Sequence, residues 1–136
     1  MKSKIILLFG CFLLSIFTGC SDSSSNDFDC DKQSQLVTDA IFNPISTINY
    51  NITSVSLNEN CLDITLTSSG CDSNNWQMEL FSNSDRDLKV KLTNMEACLA
   101  VLPKTVSYNL VPLQVSGQHQ VTLQLEGWAT PVVYNY

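Results

Sequence analysis

This chain of 136 residues has six cysteines, and their positions limit the roles that their thiols can have. Cys11 lies inside an apolar amino-terminal run and Cys20 directly after it, which leaves four for pairing: Cys30, Cys61, Cys71 and Cys98. None of them has the Cys-x-x-Cys spacing of zinc and redox sites, and the single histidine, His119, is distant from all four in sequence. We therefore expect structural disulfides, no metal site and no cofactor.

Four cysteines can pair in three ways, and strand geometry ranks the three. Cys61 and Cys71 flank a stretch with strand-like alternation, so their Cα atoms would be about 20 Å or more apart, whereas a disulfide needs less than about 7 Å. If the strand that starts at Trp76 turns near residues 83–86 and returns, Cys98 comes back beside Cys71. The preferred pairs are thus Cys71–Cys98 and, as the remaining pair, Cys30–Cys61.

The other reactive side chains do not form a catalytic pattern. His119 lies between two glutamines in a polar turn, whereas nucleophilic catalysis needs a histidine beside a serine or cysteine. Asp63 and Glu79 alternate with apolar residues, so both face outward; they could meet on one exposed sheet face, but solvated surface charge is the simpler interpretation. Residues 72–75 offer oxygen ligands without the spacing of a calcium loop. We predict no catalytic residues and no enzymatic activity.

Aromatic residues near the carboxyl end are the candidates for ligand binding. Trp128 follows Gly127 in a loop, and Tyr134 and Tyr136 share one face of the last predicted strand. Exposed Trp and Tyr rings can form platforms for sugars, so Trp128, Tyr134 and Tyr136 form a speculative ligand-binding set. Packing against the edge of the fold is the simpler interpretation of all three, and Trp76, in phase with the core positions of its strand, is expected in the core.

The elements that must position these residues are strands. From Ile48 onward, apolar residues recur at every second position, and turn-forming residues separate the runs at intervals of roughly ten residues. A one-residue shift between Ile52 and Val55 indicates a β-bulge. We predict an all-β fold, an antiparallel β-sandwich of seven or eight short strands over residues 46–136.

The segment before these strands differs in composition. Residues 20–45 are expected to hold an acidic flexible linker, which has four aspartates and four serines between Ser21 and Asp31, and then a possible short helix. Apolar residues at helical spacing favour this helix within residues 32–44, with Asp29 or Asp31 as its cap and Pro44 beyond its end.

Residues 1–19 have the three parts of a secretory signal peptide. A basic start precedes an apolar run from Ile5 to Phe17, and small residues follow. The run is too short for a membrane span, which takes about 20 apolar residues. Its last residues, Phe17-Thr18-Gly19-Cys20, resemble the lipobox of bacterial lipoproteins, although Phe17 stands where Leu, Val or Ile is usual. The resemblance implies cleavage before Cys20 and lipidation of its thiol, and an ordinary signal peptide with a free Cys20 is the alternative.

The net charge of the chain argues against two classes of binding partner. After residue 19 the chain has 13 acidic and five basic residues, a net charge of −8, which argues against nucleic acid and against anionic lipid as electrostatic partners. The expected contact with the membrane is therefore through the amino-terminal lipid. An acidic stretch directly after the lipidated cysteine is similar to the surface-export signal of lipoproteins in Bacteroidota, which implies an outer-membrane, surface-exposed location. The alternative is a plain spacer, with the domain facing the periplasm.

The body of the chain carries a weaker resemblance. Ser69-Gly70-Cys71 after a strand, alanines beside Cys98, and a strand that ends Tyr108-Asn109-Leu110 are similar to small uncharacterised lipoproteins of Bacteroidota, over roughly residues 52–136. That resemblance implies a cell-envelope location and an Ig-like sandwich, and no activity. We expect a non-catalytic binding or assembly role with an unknown protein or glycan partner. The alternatives are an inhibitor or accessory subunit of an envelope hydrolase, and a carbohydrate-binding module.

Overall fold

A computed structural model describes residues 29–136, which form two β-sheets packed face to face. The predicted signal peptide and Cys20 lie outside the described residues. One sheet has the strand order β1-β7-β4-β3 and the other β2-β5-β6-β8-β9. The strands are β1 (Lys32–Gln33), β2 (Gln35–Leu36), β3 (Asn51–Asn58), β4 (Cys61–Ser69), β5 (Gln77–Ser82), β6 (Asp87–Thr93), β7 (Val101–Asn109), β8 (Gln120–Leu125) and β9 (Val132–Asn135), with one α-helix, α1 (Asp39–Phe42).

The apolar residues that alternate along the predicted strands are the residues that form the hydrophobic core. Strand β4 and its neighbour β7 contribute buried apolar residues from one sheet, and the apolar positions of β5, β6, β8 and β9 contribute them from the other. Trp76 is 2% exposed, as expected for a core residue. The predicted bulge is present in β3, where the pairing with β4 shifts between Ile52 and Ser54. The all-β sandwich is thus confirmed.

Two details of the predicted sandwich are wrong. The described part has nine strands rather than seven or eight, because β1 and β2 are only two residues long each and show no periodicity. The sheets are mixed rather than antiparallel, since β1 pairs in parallel with β7, β2 with β5, and β6 with β8.

The amino-terminal arm, residues 30–37, explains the first of these differences. It adds β1 to one sheet and then crosses at buried Ser34, whose N–H donates to the Asn109 carbonyl at 3.0 Å, to add β2 to the other. Residues that were expected to lie in the linker and helix of 20–45 therefore belong to the sandwich, which begins before residue 46.

The helix is also shorter than predicted and starts later. It has four residues, begins after Thr38 and buries Phe42. Asp31 does not cap it; its carboxylate accepts the Ser107 N–H of β7 at 2.9 Å. The helical spacing of apolar residues was misleading, because Leu36 and Ile41 are half exposed. No helix within residues 29–136 is both long enough and apolar enough to cross a membrane.

Disulfides join both preferred pairs and fasten opposite ends of the sandwich. Cys30 is bonded to Cys61 at the start of β4, with Cα atoms 5.6 Å apart. Cys71 and Cys98, with Cα atoms 5.0 Å apart, lie beyond the other end of β4. We call these the Cys61 end and the Cys98 end. The hairpin of β5 and β6 places Cys98 beside Cys71, as the sequence argument required.

Candidate binding cleft beside Trp128

The residues considered for catalysis are not brought together. Asp63 lies on β4 and Glu79 on β5, and these strands belong to different sheets, so the shared sheet face that the sequence allowed does not form. Glu79 instead has an ion pair with Lys91 at 3.8 Å. His119 is exposed before β8, and its carbonyl accepts the Tyr136 N–H at 2.9 Å.

The possible cation ligands of residues 72–75 serve the local backbone. The Asp72 carboxylate accepts the Asn74 N–H at 2.9 Å and thereby caps the 3-10 turn Ser73–Asn75. Among residues 29–136, no group of three or more His, Cys, Asp or Glu side chains is placed to hold a metal ion.

The speculative aromatic set separates into two kinds of residue. Tyr134 is completely buried, and its hydroxyl lies between Gln114 and Asn60. Tyr136 is partly buried, 5.0 Å from the Tyr134 ring, and its hydroxyl accepts the Val115 N–H at 2.8 Å. Both tyrosines therefore hold loops in place, and they form no exposed platform, because the inward face of β9 points into the core. Trp128 alone is partly exposed in a loop.

A concave surface beside this tryptophan is the best-formed candidate site, and we call it the Trp128 cleft. Its volume is about 420 Å³. It forms where β6 begins and β8 ends, because the parallel pairs Asp87 with Gln124 and Leu88 with Leu125 bring these strand ends together. Gly127, with a φ of 85°, then turns the chain so that Trp128 follows. The lining residues are Phe42, Asn43, Asn83, Asp87, Leu88, Lys89, Gln124, Leu125, Glu126, Gly127 and Trp128.

Lys89 organises one wall of the cleft. Its Nζ lies 4.8 Å from the centre of the Phe42 ring and 3.5 Å from both Glu126 Oε2 and the Asn43 carbonyl oxygen. The lysine side chain is only 14% exposed, whereas that of Glu126 is 49% exposed. The end of α1 is thereby tied to the end of β8, and the other oxygen of the Glu126 carboxylate accepts a hydrogen bond from the Thr47 hydroxyl.

The opposite wall is built around Asn83. Its Oδ1 accepts the Asp85 and Asp87 N–H groups at 3.1 and 3.0 Å, which fixes the turn between β5 and β6. Gln124 donates to the Trp128 carbonyl at 3.0 Å and so holds the loop that carries the indole. The cleft is therefore lined by carboxylate and amide side chains beside the Trp128 indole.

The charged residues that line this cleft favour some classes of ligand over others. Its lining includes two acidic residues, Asp87 and Glu126, and one basic residue, Lys89, which is already engaged with Glu126. An anionic ligand would meet net repulsion, whereas hydroxyl groups can both donate to carboxylates and accept from amides. An uncharged polyhydroxyl ligand is thus the best chemical fit.

A second cluster, which the sequence did not reveal, lies at the Cys98 end. The Glu96 carboxylate accepts hydrogen bonds from the N–H groups of Cys71 and Asp72 at 2.7 and 3.0 Å, from Asn75 Nδ2 at 2.9 Å and from Trp76 Nε1 at 3.2 Å. These bonds, led by that of Asn75, lower the pKa of Glu96 to about 2. All four donors belong to this chain. The Glu96 carboxylate therefore stabilises a loop and does not form a ligand site.

Solved structures that share this fold come from Bacteroidales. A protein of unknown function, DUF1344, from Bacteroides vulgatus has a TM-score of 0.52 and 13% identity, over 77% of this chain and 56% of its own. A protein described as toxin-related from Parabacteroides distasonis has a TM-score of 0.58 and 16% identity, over 76% of this chain and 61% of its own. The chain thus spans less than two thirds of either structure. No protein-family model matches the sequence, and no curated protein is significantly similar to it. At this identity the similarity concerns the fold, and its source is consistent with a protein of Bacteroidota type.

Proposed function

We propose that this chain is a lipid-anchored, non-catalytic binding protein of the bacterial cell envelope. The observation that carries the proposal is the pair of disulfides at opposite ends of the sandwich. Disulfides persist in oxidising compartments outside the cytoplasm, which agrees with a signal peptide over residues 1–19. The lipobox-like sequence then makes Cys20 the attachment point for lipid in an outer-membrane, surface-exposed protein, and the fold shared with two Bacteroidales proteins agrees with a Bacteroidota-type protein.

Attachment at Cys20 would couple the sandwich firmly to the membrane. Residues 21–29 separate the lipidated residue from Cys30, and a fully extended stretch of this length reaches about 30 Å. Cys30 is in turn bonded to Cys61, so the tether ends on a central strand of the fold. The Cys61 end would therefore be nearer the membrane, with the Cys98 end distal.

The Trp128 cleft favours carbohydrate as the ligand. Sugar rings combine an apolar face, which can stack on an indole, with hydroxyl groups that hydrogen-bond to carboxylates and amides. The partly buried Trp128 indole and the polar side chains of Asp87, Gln124 and Glu126 line one concave surface and can supply both kinds of contact. We therefore propose an uncharged glycan as the ligand class.

Replacing the indole tests the glycan proposal. We expect Trp128→Ala to abolish retention on an array of neutral glycans, because the stacking surface is removed, while the fold is kept by its core and disulfides. Val133→Ala, which shortens an exposed side chain outside the cleft, should bind as the natural chain does. Equal retention by the Trp128→Ala and Val133→Ala proteins would exclude the cleft as the glycan site.

A second candidate is the accessory subunit of an envelope hydrolase. The observation that favours it is a group of exposed apolar side chains at the Cys98 end: Ile48, Met95, Leu99 and Val101, which are 70–96% exposed. Such patches mark protein contacts. A Met95→Ser/Leu99→Ser protein should lose a dominant hydrolase partner in co-purification from envelope extract and keep glycan binding; if both proteins recover the same hydrolase equally, the patch has no part in docking.

A further inference from the structure

Sheet edges offer unpaired backbone groups to other chains, and in this fold the amino-terminal arm covers part of two edges. Strand β1 pairs along the edge of β7, and Asp31 accepts the next free N–H, that of Ser107. Strand β2 pairs along the end of β5. The amino-terminal arm is therefore the fold's own example of strand addition at an edge.

Strand β2 covers only the end of β5, and lysine side chains donate to backbone carbonyls along the rest of that edge. Lys32 Nζ donates to the Met78 carbonyl at 2.9 Å, and Lys104 Nζ donates to the carbonyls of Ser73 and Trp76 at 2.8 and 2.6 Å. These amines occupy acceptors that an incoming strand would need. On the other side of the same sheet, β9 has only four residues and directly follows Pro131, which makes it a poor template.

Strand β3 is a long edge strand without such protection. Within the described part of the chain it pairs with β4 alone, and it is eight residues long. Its sequence, NITSVSLN, has no charged residue and no proline, which are the usual means of blocking an edge. The bulge at Thr53 disturbs only its first half, so Ser54 to Asn58 remains regularly paired with β4 and open on its outer edge.

We propose that this edge binds the same edge of a second copy of the chain, in an antiparallel pair with two-fold symmetry. Centred on Ser56, the pairing places Ser56 opposite Ser56 of the other copy, Val55 opposite Leu57, and Ser54 opposite Asn58. The side chains of Ser54, Ser56 and Asn58 are exposed, whereas those of Val55 and Leu57 are half-buried. Apolar residues would thus meet apolar residues on the inner face of a continuous sheet and polar residues would meet on its outer face, as one self-complementary patch requires.

The surroundings of β3 favour a second copy over an unrelated peptide. Both copies are acidic, yet no charge lies along the pairing line, so the repulsion expected between like molecules is absent where they touch. A cavity of about 310 Å³ lies against Val55 and Leu57 and is otherwise lined by Trp128 and residues 130–133. The inward-facing Val55 and Leu57 of the other copy would cover this cavity, whose exposed member Val133 would then be shielded.

Cysteine cross-linking of the full chain in the membranes of producing cells tests this pairing. Paired residues in antiparallel strands have Cα atoms about 4.5 to 5.5 Å apart, which suits a disulfide. We expect Ser56→Cys to yield a reducible species of twice the chain mass, with mass spectrometry locating the bond between the two residues 56. Thr122→Cys, which is also exposed but lies on β8, is the matched control and should yield no cross-linked species of twice the chain mass under the same oxidation.

A charge variant makes the test independent of thiol chemistry. Ser56→Glu places two carboxylates opposite each other at the symmetry axis, so we expect a dimer of the natural chain in detergent to become a monomer, while Thr122→Glu leaves the dimer intact. A monomeric natural chain would overturn the proposal. Cross-links from residue 56 to another protein would also overturn it, and would identify β3 as an acceptor for a foreign strand.

Discussion

At the residue scale, Glu96 shows how one side chain can replace a length of regular structure. The segment between β6 and β7 has no strand of its own, yet the Glu96 carboxylate ties it to the turn after β4 through four N–H donors. Gly70 makes the contact possible, because a Cβ at that position would lie 2.7 Å from the Trp76 ring and 2.8 Å from Glu96 Oε2. The loop beside the Cys71–Cys98 disulfide is therefore held twice.

The hydrogen bonds of Glu96 predict an acid-sensitive component of stability. Since folding lowers the pKa of this group from 4.5 to about 2, its contribution is complete above pH 4.5 and is lost as the pH falls towards 2. We expect Glu96→Gln to reduce the decline in the free energy of unfolding across that pH range, measured by chemical denaturation. Glu79→Gln, which removes only a surface ion pair with Lys91, should decline as the natural protein does. Identical pH profiles for the natural and Glu96→Gln proteins would show that the carboxylate does not stabilise the fold.

At the element scale, the amino-terminal arm closes both sheets on one side. Its strands β1 and β2 contribute only two residues each, and the Cys30–Cys61 disulfide fixes the start of the arm to β4. A lipid tether would pull on this same point, and the bond would transmit the load to β4 rather than to two short strands.

Removing the Cys30–Cys61 bond should destabilise the fold and release the arm. For residues 31 apart in sequence, the chain-entropy estimate is about 3 to 4 kcal/mol of lost stability in Cys30→Ser/Cys61→Ser. Hydrogen exchange should become faster at residues 32–37. The Cys71→Ser/Cys98→Ser protein should lose a similar amount of stability and keep the arm protected. Unchanged exchange in the arm of the first variant would mean that β1 and β2 hold without the disulfide.

The same elements show which parts of the fold the sequence could predict and which parts it could not. Alternation gave the core strands and the bulge of β3, because half-buried strands leave a local pattern with a period of two. The hairpin of β5 and β6 then ranked the cysteine pairs. The arm was misinterpreted as a helix, since two-residue strands leave no period and their pairing partners are about 50 to 75 residues away.

Site residues were harder to predict than strands for the same reason. Trp128 was identified as a loop tryptophan, but the cleft beside it depends on Phe42 of α1 and on Asn83 and Lys89 of the β5–β6 hairpin, which are distant from Trp128 in sequence. Tyr134 and Tyr136 were grouped with it because residues two apart share a strand face, and the sequence does not say which face is buried. Glu96 lies in an irregular loop, where no periodic pattern marks a functional or structural role.

At the scale of the whole molecule, the proposed anchor, the disulfides and the acidic surface all suit a protein that is displayed on a membrane outside the cytoplasm. A net charge of −8 after residue 19 would keep copies soluble and apart when they are concentrated on a membrane. Specific contacts would then depend on the few uncharged or apolar surfaces: the edge of β3, the Trp128 cleft and the exposed apolar residues of the Cys98 end. Of these surfaces, the edge of β3 reaches the Cys61 end, where Asn58 pairs with Cys61, and the exposed apolar residues lie at the opposite end.

The most direct test of the account is the intact mass and peptide map of the protein purified from its native membranes. We predict an amino terminus at acylated Cys20, no residues from 1–19, and intact Cys30–Cys61 and Cys71–Cys98 bonds. A chain that still begins at Met1, or that has free thiols at the four paired cysteines, would contradict export and lipid anchoring.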